Sequence, residues 1–209
     1  MAVVAEVRGG SAFALALDPA IETPDDAQSE RILDAALELA GRAGIANLTM
    51  DAVAAGARLG RMTVYRRFGS RAELVQALLV REVRGVLAGL AAAINPGLPP
   101  AARIADGFVA ALRVAKQHPL LARRPPTEIL AELNAPGDPT LSLAREFLAA
   151  QIQEGVEAGE LDVVEVAPVA DLLVRIGVSY VLLPGSPVLD DEAEARRIAH
   201  TLLAPIAGA

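Results

Sequence analysis

Residues Thr49–Leu74 read TMDAVAAGARLGRMTVYRRFGSRAEL and gather Arg58, Arg61, Arg66, Arg67 and Arg71 with no acidic residue between Ala52 and Ala72. The 209-residue chain around them is acidic, with a formal net charge of −7. Such a balance argues against a protein that coats nucleic acid or anionic membrane over its whole surface, and leaves room for one local basic patch. The local spacing gives that patch a shape. Thr49 stands where a helix N-cap belongs, just before Met50, Val53 and Ala54. Gly56 and Gly60 then break the chain into a tight turn. RMTVYRRF forms a second short helix that ends at Phe68, and Ser70 and Glu73 have the spacing of a capping box for the next one. Upstream, Ile32, Leu33, Ala36, Leu37 and Ala40 recur at helical spacing, which predicts an amphipathic helix over Ser29–Ala40, stopped by Gly41 and Gly44.

A supporting helix followed by two short helices across a tight turn is a helix-turn-helix, whose second helix lies in the DNA major groove. On that helix Val64 and Phe68, with Leu59 before it, turn inward, while Arg61, Met62, Thr63, Tyr65 and Arg66 face the groove.

Beyond Ser70 the apolar period continues through Leu74, Ala77, Leu78, Arg81, Val83 and Leu87 to about Asn95. Proline and glycine breaks then separate helices expected over Ile104–His118, Thr127–Leu133, Leu141–Ala158 (with Asp138 as N-cap and Pro139 at its start), Val166–Leu183 and Asp191–Leu203. Almost uncharged apart from Asp171 and Arg175, Val166–Leu183 should be buried on most sides. No alternating strand pattern of useful length occurs. The predicted fold class is all-α.

The absence of cysteine removes disulfides, thiolate nucleophiles and Cys-based metal sites, and makes a reducing cytoplasm the natural setting. Hydrophobic residues are 53% but aromatics only 3%, and every long uncharged run is interrupted by proline or glycine, so no membrane span is expected. SAFALAL, after Arg8, is too short for a signal-peptide core and runs into Asp18, Glu22, Asp25 and Asp26; residues 1–27 read as a mobile arm.

The run from Ser29 to about Arg81, above all TVYRRFGSRAEL, resembles the DNA-binding domain of the TetR (tetracycline repressor) family of bacterial regulators. The resemblance implies a DNA-binding domain over residues 28–75 and a helical effector-binding and dimerisation domain over 76–209. It implies that Thr49 caps the second helix and touches a phosphate, that Arg61, Met62 and Thr63 enter the groove, and that Tyr65 and Arg66 meet phosphate or a base edge. Arg71, where the family usually carries lysine, would reach phosphate from the start of the fourth helix. This chain departs from the family pattern in placing Arg58 where glycine is common in the turn, and Gly60 where a small polar cap is common. Arg58 is counted among the DNA-binding candidates. The implied function is a ligand-responsive regulator, a repressor released from a palindromic double-stranded operator by a small-molecule effector. In the family the last two helices of each subunit form a four-helix dimer interface, which Leu172, Leu173, Ile176, Tyr180, Ile198, Leu202 and Leu203 fit; ordinary core is the competing explanation.

Phe108, Arg113, His118, Phe147 and Arg175 are candidate effector-lining residues only because a pocket needs a few polar or aromatic groups. His118 and His200 lie far apart without metal-ligand spacing and read as helix-end or surface residues. Glu146, Glu154 and Glu157 lack an accompanying Glu-x-x-His pair and read as a solvated face. No phosphate loop or nucleophile motif is present, so an enzyme, a cofactor and a metal are not expected. A DNA-binding structural protein without an effector is the alternative.

Overall fold

The computed structural model describes residues 26–95, 97–121, 126–133, 139–163, 165–183, 191–203 and 205. The expected arm, apart from its last two residues, and the expected cap at Asp138 lie outside them. The described elements are helical: α1 (Ala27–Ala43), α2 (Met50–Ala57), α3 (Arg61–Phe68), α4 (Arg71–Ala93), α5 (Pro100–Gln117), α6 (Pro126–Leu133), α7 (Thr140–Glu157), α8 (Val166–Leu182) and α9 (Glu192–Ile198), the last continued by a π-helical turn over Ala199–Leu203. No strand occurs among the described residues, so the chain is all-α.

The backbone groups into two compact units. Of the described residues, the first takes those from 26 to 83 and from 115 to 140, and the second those from 84 to 114 and from 141 onward. α4 begins in the first and ends in the second.

In the first unit α1 starts two residues earlier than its apolar period alone indicates, because the Asp26 carboxylate accepts from Gln28 and Ser29 N–H, both at 2.9 Å, and so caps it. The core is built from the expected faces: Ile32, Leu33, Ala36, Val53, Val64, Leu74 and Leu78 are each buried. Burying a Val, Leu or Ile side chain stabilises by about 1.5–3 kcal/mol, so these few positions hold α2 and α3, each too short to persist alone.

In the second unit Ala105, Ile152, Leu161, Ala170, Leu173, Ala199 and Leu203 form one buried cluster. Val109, Leu112 and Ala195 form another, against which Phe108, Tyr180 and Val181 pack. α8 does not fulfil the expectation of burial on most sides. Ala170, Leu173 and Leu182 face inward, whereas Pro168, Leu172, Arg175, Ser179 and Leu183 are exposed along the opposite stripe.

Candidate nucleic-acid interface

Short-range chemistry fixes α2 and α3. Thr49 Oγ1 accepts from Ala52 N–H at 3.2 Å, as an N-cap should. Gly56 lets α2 approach α1 closely, since a Cβ there would lie 3.3 Å from the Ala35 Cβ. At its far end α2 is closed by Leu59 N–H donating to Ala54 O at 2.9 Å and Arg58 N–H to Ala55 O at 3.1 Å, a Schellman-type cap. Arg58 takes the left-handed position in that cap, with φ 56° and ψ 44°. Gly60 then starts α3 without a side-chain cap, its carbonyl accepting from Thr63 N–H at 2.9 Å.

A side chain in the left-handed region costs about 1–2 kcal/mol, which glycine avoids while losing more freedom on folding. Arg58→Gly is therefore expected to stabilise the fold by about 1 kcal/mol and raise Tm by about 2–4 °C. A circular-dichroism melt that does not move upward would contradict the strain assigned here.

α3 ends in a classic γ-turn. Ser70 N–H donates to Phe68 O at 2.5 Å across Gly69, whose φ is 62° and ψ −61°. The expected capping box forms by half: Glu73 N–H donates to Ser70 Oγ at 3.2 Å, but the Glu73 carboxylate is met by the Ser70 hydroxyl at 3.0 Å, because the Ser70 N–H is already spent in the turn.

With Val64 and Phe68 buried under α3, its outer face presents Arg61, Met62 and Arg66 to solvent, with Thr63 and Tyr65 half-buried beside them. Met62 is 78% exposed, the only large apolar side chain of the described first unit in that condition. Arg61 Nε lies 2.9 Å from Asp51 Oδ1 in the first turn of α2, and its guanidinium carbon sits 5.3 Å from the centre of the Tyr65 ring.

The five arginines divide by partner. Arg67 bonds to Asp26, to Gln28 Oε1 at 2.9 Å and to Ser29 Oγ at 3.0 Å, tying α3 to the start of α1. Arg71 donates through Nε to Leu48 O at 2.9 Å and through Nη2 to Ile45 O at 2.6 Å, with Glu132 of α6 at 4.0 Å. The guanidinium assigned to phosphate by resemblance thus also fastens the loop before α2. Arg58 and Arg66 are exposed with no ion-pair partner among the described residues. Sequence reading missed Asp51 as a partner of Arg61, and no local signal joins residues on two helices across a turn.

The other candidates scatter through the second unit. Phe147 is buried; Phe108 is half-buried and meets Tyr180 edge-on at 5.4 Å. Arg113 and Arg175 are exposed and paired, with Glu192 at 2.6 Å and Asp171 at 2.6 Å respectively. Of the interface candidates, Leu172 and Leu202 stand out to solvent, Ile176, Tyr180 and Ile198 are half-buried, and Leu173 and Leu203 lie in the core of their own chain. His118 sits just past the end of α5, one of the two positions expected of it, and is a half-buried partner of Glu82 in the first unit, with Nε2 3.0 Å from Glu82 Oε2. His200 is exposed. No cluster of potential metal ligands occurs among the described residues, and no described helix is long and apolar enough to cross a membrane.

Residues 32–78 match the family described as bacterial regulatory proteins, tetR family. An uncharacterised HTH-type transcriptional regulator of Mycobacterium tuberculosis is 31% identical over 183 residues, 85% of this chain and 84% of that one. Among solved structures, the R. erythropolis transcriptional repressor QsdR is 25% identical with a TM-score of 0.62, over 88% of this chain and 96% of that one. The repressor AlkX from Dietzia sp., implicated in biodegradation of n-alkanes, is 23% identical with a TM-score of 0.64, over 89% and 96%.

Proposed function

The chain belongs to the TetR family of HTH-type transcriptional regulators, and we propose that it holds its operator through the exposed face of α3 as a homodimeric repressor released by a small-molecule effector. One observation carries the DNA reading: α3 is anchored from below by Val64 and Phe68, and Arg61, Met62 and Arg66 are exposed on the opposite side. Arg58, Arg66 and Thr49 serve phosphates, which position the protein, and Arg61, Met62, Thr63 and Tyr65 serve base edges, which specify the sequence. Arg71 contributes chiefly by holding the loop 45–48 that leads into α2.

The stripe Pro168, Leu172, Arg175, Ser179 and Leu183 on α8, with Leu202 beyond α9, supports the dimer. A two-fold pair of α3 helices matches a palindromic site. The packing of Phe108 and Tyr180 against aliphatic neighbours in the second unit supports an effector site among those helices, suited to a small or aliphatic molecule. An effector that binds one spacing of the two heads better than another shifts the population away from the DNA-competent one, and α4, common to both units, provides the covalent path.

Fluorescence anisotropy on labelled DNA from the region upstream of its own gene, with a scrambled competitor, tests the function. Arg66→Ala should weaken binding to operator and scrambled duplex alike and lower the slope of log affinity against log salt by about 1. An unchanged slope would remove Arg66 from the phosphate contacts. Absence of any sequence-selective binding, here and after selection from random DNA, would overturn the regulator reading.

A further inference from the structure

Asp51 stands in the first turn of α2, where the helix dipole favours a carboxylate, but it does so on a surface that meets polyanionic DNA. Its side chain is 63% exposed, so burial does not hold it there, and a carboxylate beside phosphates opposes binding to every sequence. What it does hold is Arg61, through Nε at 2.9 Å, while the Tyr65 ring flanks the same guanidinium at 5.3 Å. With the ion pair made on its Nε side, Arg61 leaves its terminal nitrogens Nη1 and Nη2 as a parallel pair of donors. That pair matches the O6 and N7 acceptors of guanine in the major groove.

Met62, the next residue, has the opposite chemistry. Its thioether offers no donor, yet 78% of the residue is left in water. The apolar feature that base pairs present in the major groove is the thymine C5-methyl group. Covering a methionine with that methyl removes apolar surface from water on both partners.

We propose that Asp51 is a positioning residue that presents Arg61 end-on to a guanine, and that Met62 packs on the methyl group of a thymine in the same half-site. This rests on α3 being the recognition helix. Asp51 thereby exchanges general affinity for selectivity: it weakens binding to all DNA and narrows the sequences that the freed arginine edge accepts.

The test starts from the duplex that the wild-type protein enriches from a random-sequence library, then replaces each thymine by uracil and each guanine by 7-deazaguanine in turn, reading affinity by anisotropy. For wild type, one thymine and one guanine position per half-site should each cost about tenfold. Met62→Ala should bind the thymine and uracil duplexes equally, and Arg61→Ala should lose the distinction at guanine. Asp51→Ala should bind scrambled DNA more tightly while its discrimination between guanine and 7-deazaguanine falls about tenfold. Asp51→Asn, which keeps an acceptor for Nε, should restore part of that discrimination.

If Asp51→Ala instead strengthened binding to every duplex by one common factor, the carboxylate would be a repulsive charge and nothing more. Retained thymine-over-uracil preference in Met62→Ala would overturn the methyl contact. Enrichment of no sequence at all would overturn the DNA reading and this inference together, whereas an enriched duplex indifferent to both base analogues would overturn this inference alone.

Discussion

Replacing Arg81 by alanine is expected to lower stability by about 2–3 kcal/mol, the upper part of the range for breaking a largely buried ion pair being discounted because two of its partners reach solvent. Arg81 lies on α4 with its side chain 18% exposed, and its Nη1 meets Glu30 Oε2 at 3.1 Å and Asp34 Oδ1 at 2.8 Å on α1. Nη2 meets Glu82 Oε1 at 2.8 Å, and Glu82 is also bonded to His118. Alanine leaves three carboxylates around one vacated position, a cluster of like charge that water reaches only in part. The stem of Arg81 also covers apolar surface, so Arg81→Met separates packing from charge: it should recover the packing share alone. By contrast Arg42→Ala breaks an i,i+4 pair with Glu38 whose side chains are 66% and 67% exposed, and should cost no more than about 0.5 kcal/mol. Urea midpoints of the three variants compare these losses directly. A loss for Arg81→Ala as small as that for Arg42→Ala would show that the network adds nothing beyond surface pairing.

The same network sets an acid limit. Burial opposes ionisation of Glu82, but the hydrogen bonds from His118 and Arg81 outweigh it and hold the carboxyl below its ordinary value of 4.5. A depressed carboxylate adds stability that is fully present above that ordinary value and is lost as pH falls through the folded-state value. The urea midpoint should therefore decline below about pH 4.5. In Glu82→Gln that part of the decline should be absent.

Phe68→Ala is the second large effect, at about 3–5 kcal/mol for truncating a buried phenylalanine, or a fall in Tm of about 10 °C. Phe68 is 3% exposed at the last position of α3, where it secures the helix to the core. Its loss should also reduce operator affinity at temperatures where the rest of the chain stays folded, since α3 is too short to keep its shape without tertiary support. This separates it from Arg66→Ala, which should weaken DNA binding with no change in the melt. A Phe68→Ala protein with full operator affinity and an unchanged melt would mean that α3 is held by something other than the contacts described.

Much of the DNA-binding region was legible because its instructions are local. Thr49, Gly60 and Phe68 delimit α2 and α3 through neighbours within a few residues, and Val64 and Phe68 declare the inner face by spacing alone. The division of labour among the arginines was not legible. Arg67 finds its partners 38 to 41 positions away and Arg71 finds two of its own 23 and 26 positions away, distances over which composition carries no pairing information. Adjacent leucines posed a similar difficulty: Leu172 and Leu202 are exposed while Leu173 and Leu203 are buried. A nearly uncharged helix has little polar contrast to reveal its phase, and the π-helical turn at Ala199–Leu203 shifts the phase again.

The γ-turn at Gly69 bears on descent as well as on shape. A Cβ there would come within 2.5 Å of Glu73 Oε2, and that carboxylate can swing away only by giving up its bond to Ser70. The backbone angles alone already disfavour any other residue there. A side chain at position 69 would therefore have to remodel this junction between α3 and α4, through a different turn or a displaced Glu73. Invariance at position 69 would record a constraint on chain geometry shared by ancestors of unlike specificity, and variation at positions 51, 61 and 62 would record where those specificities parted.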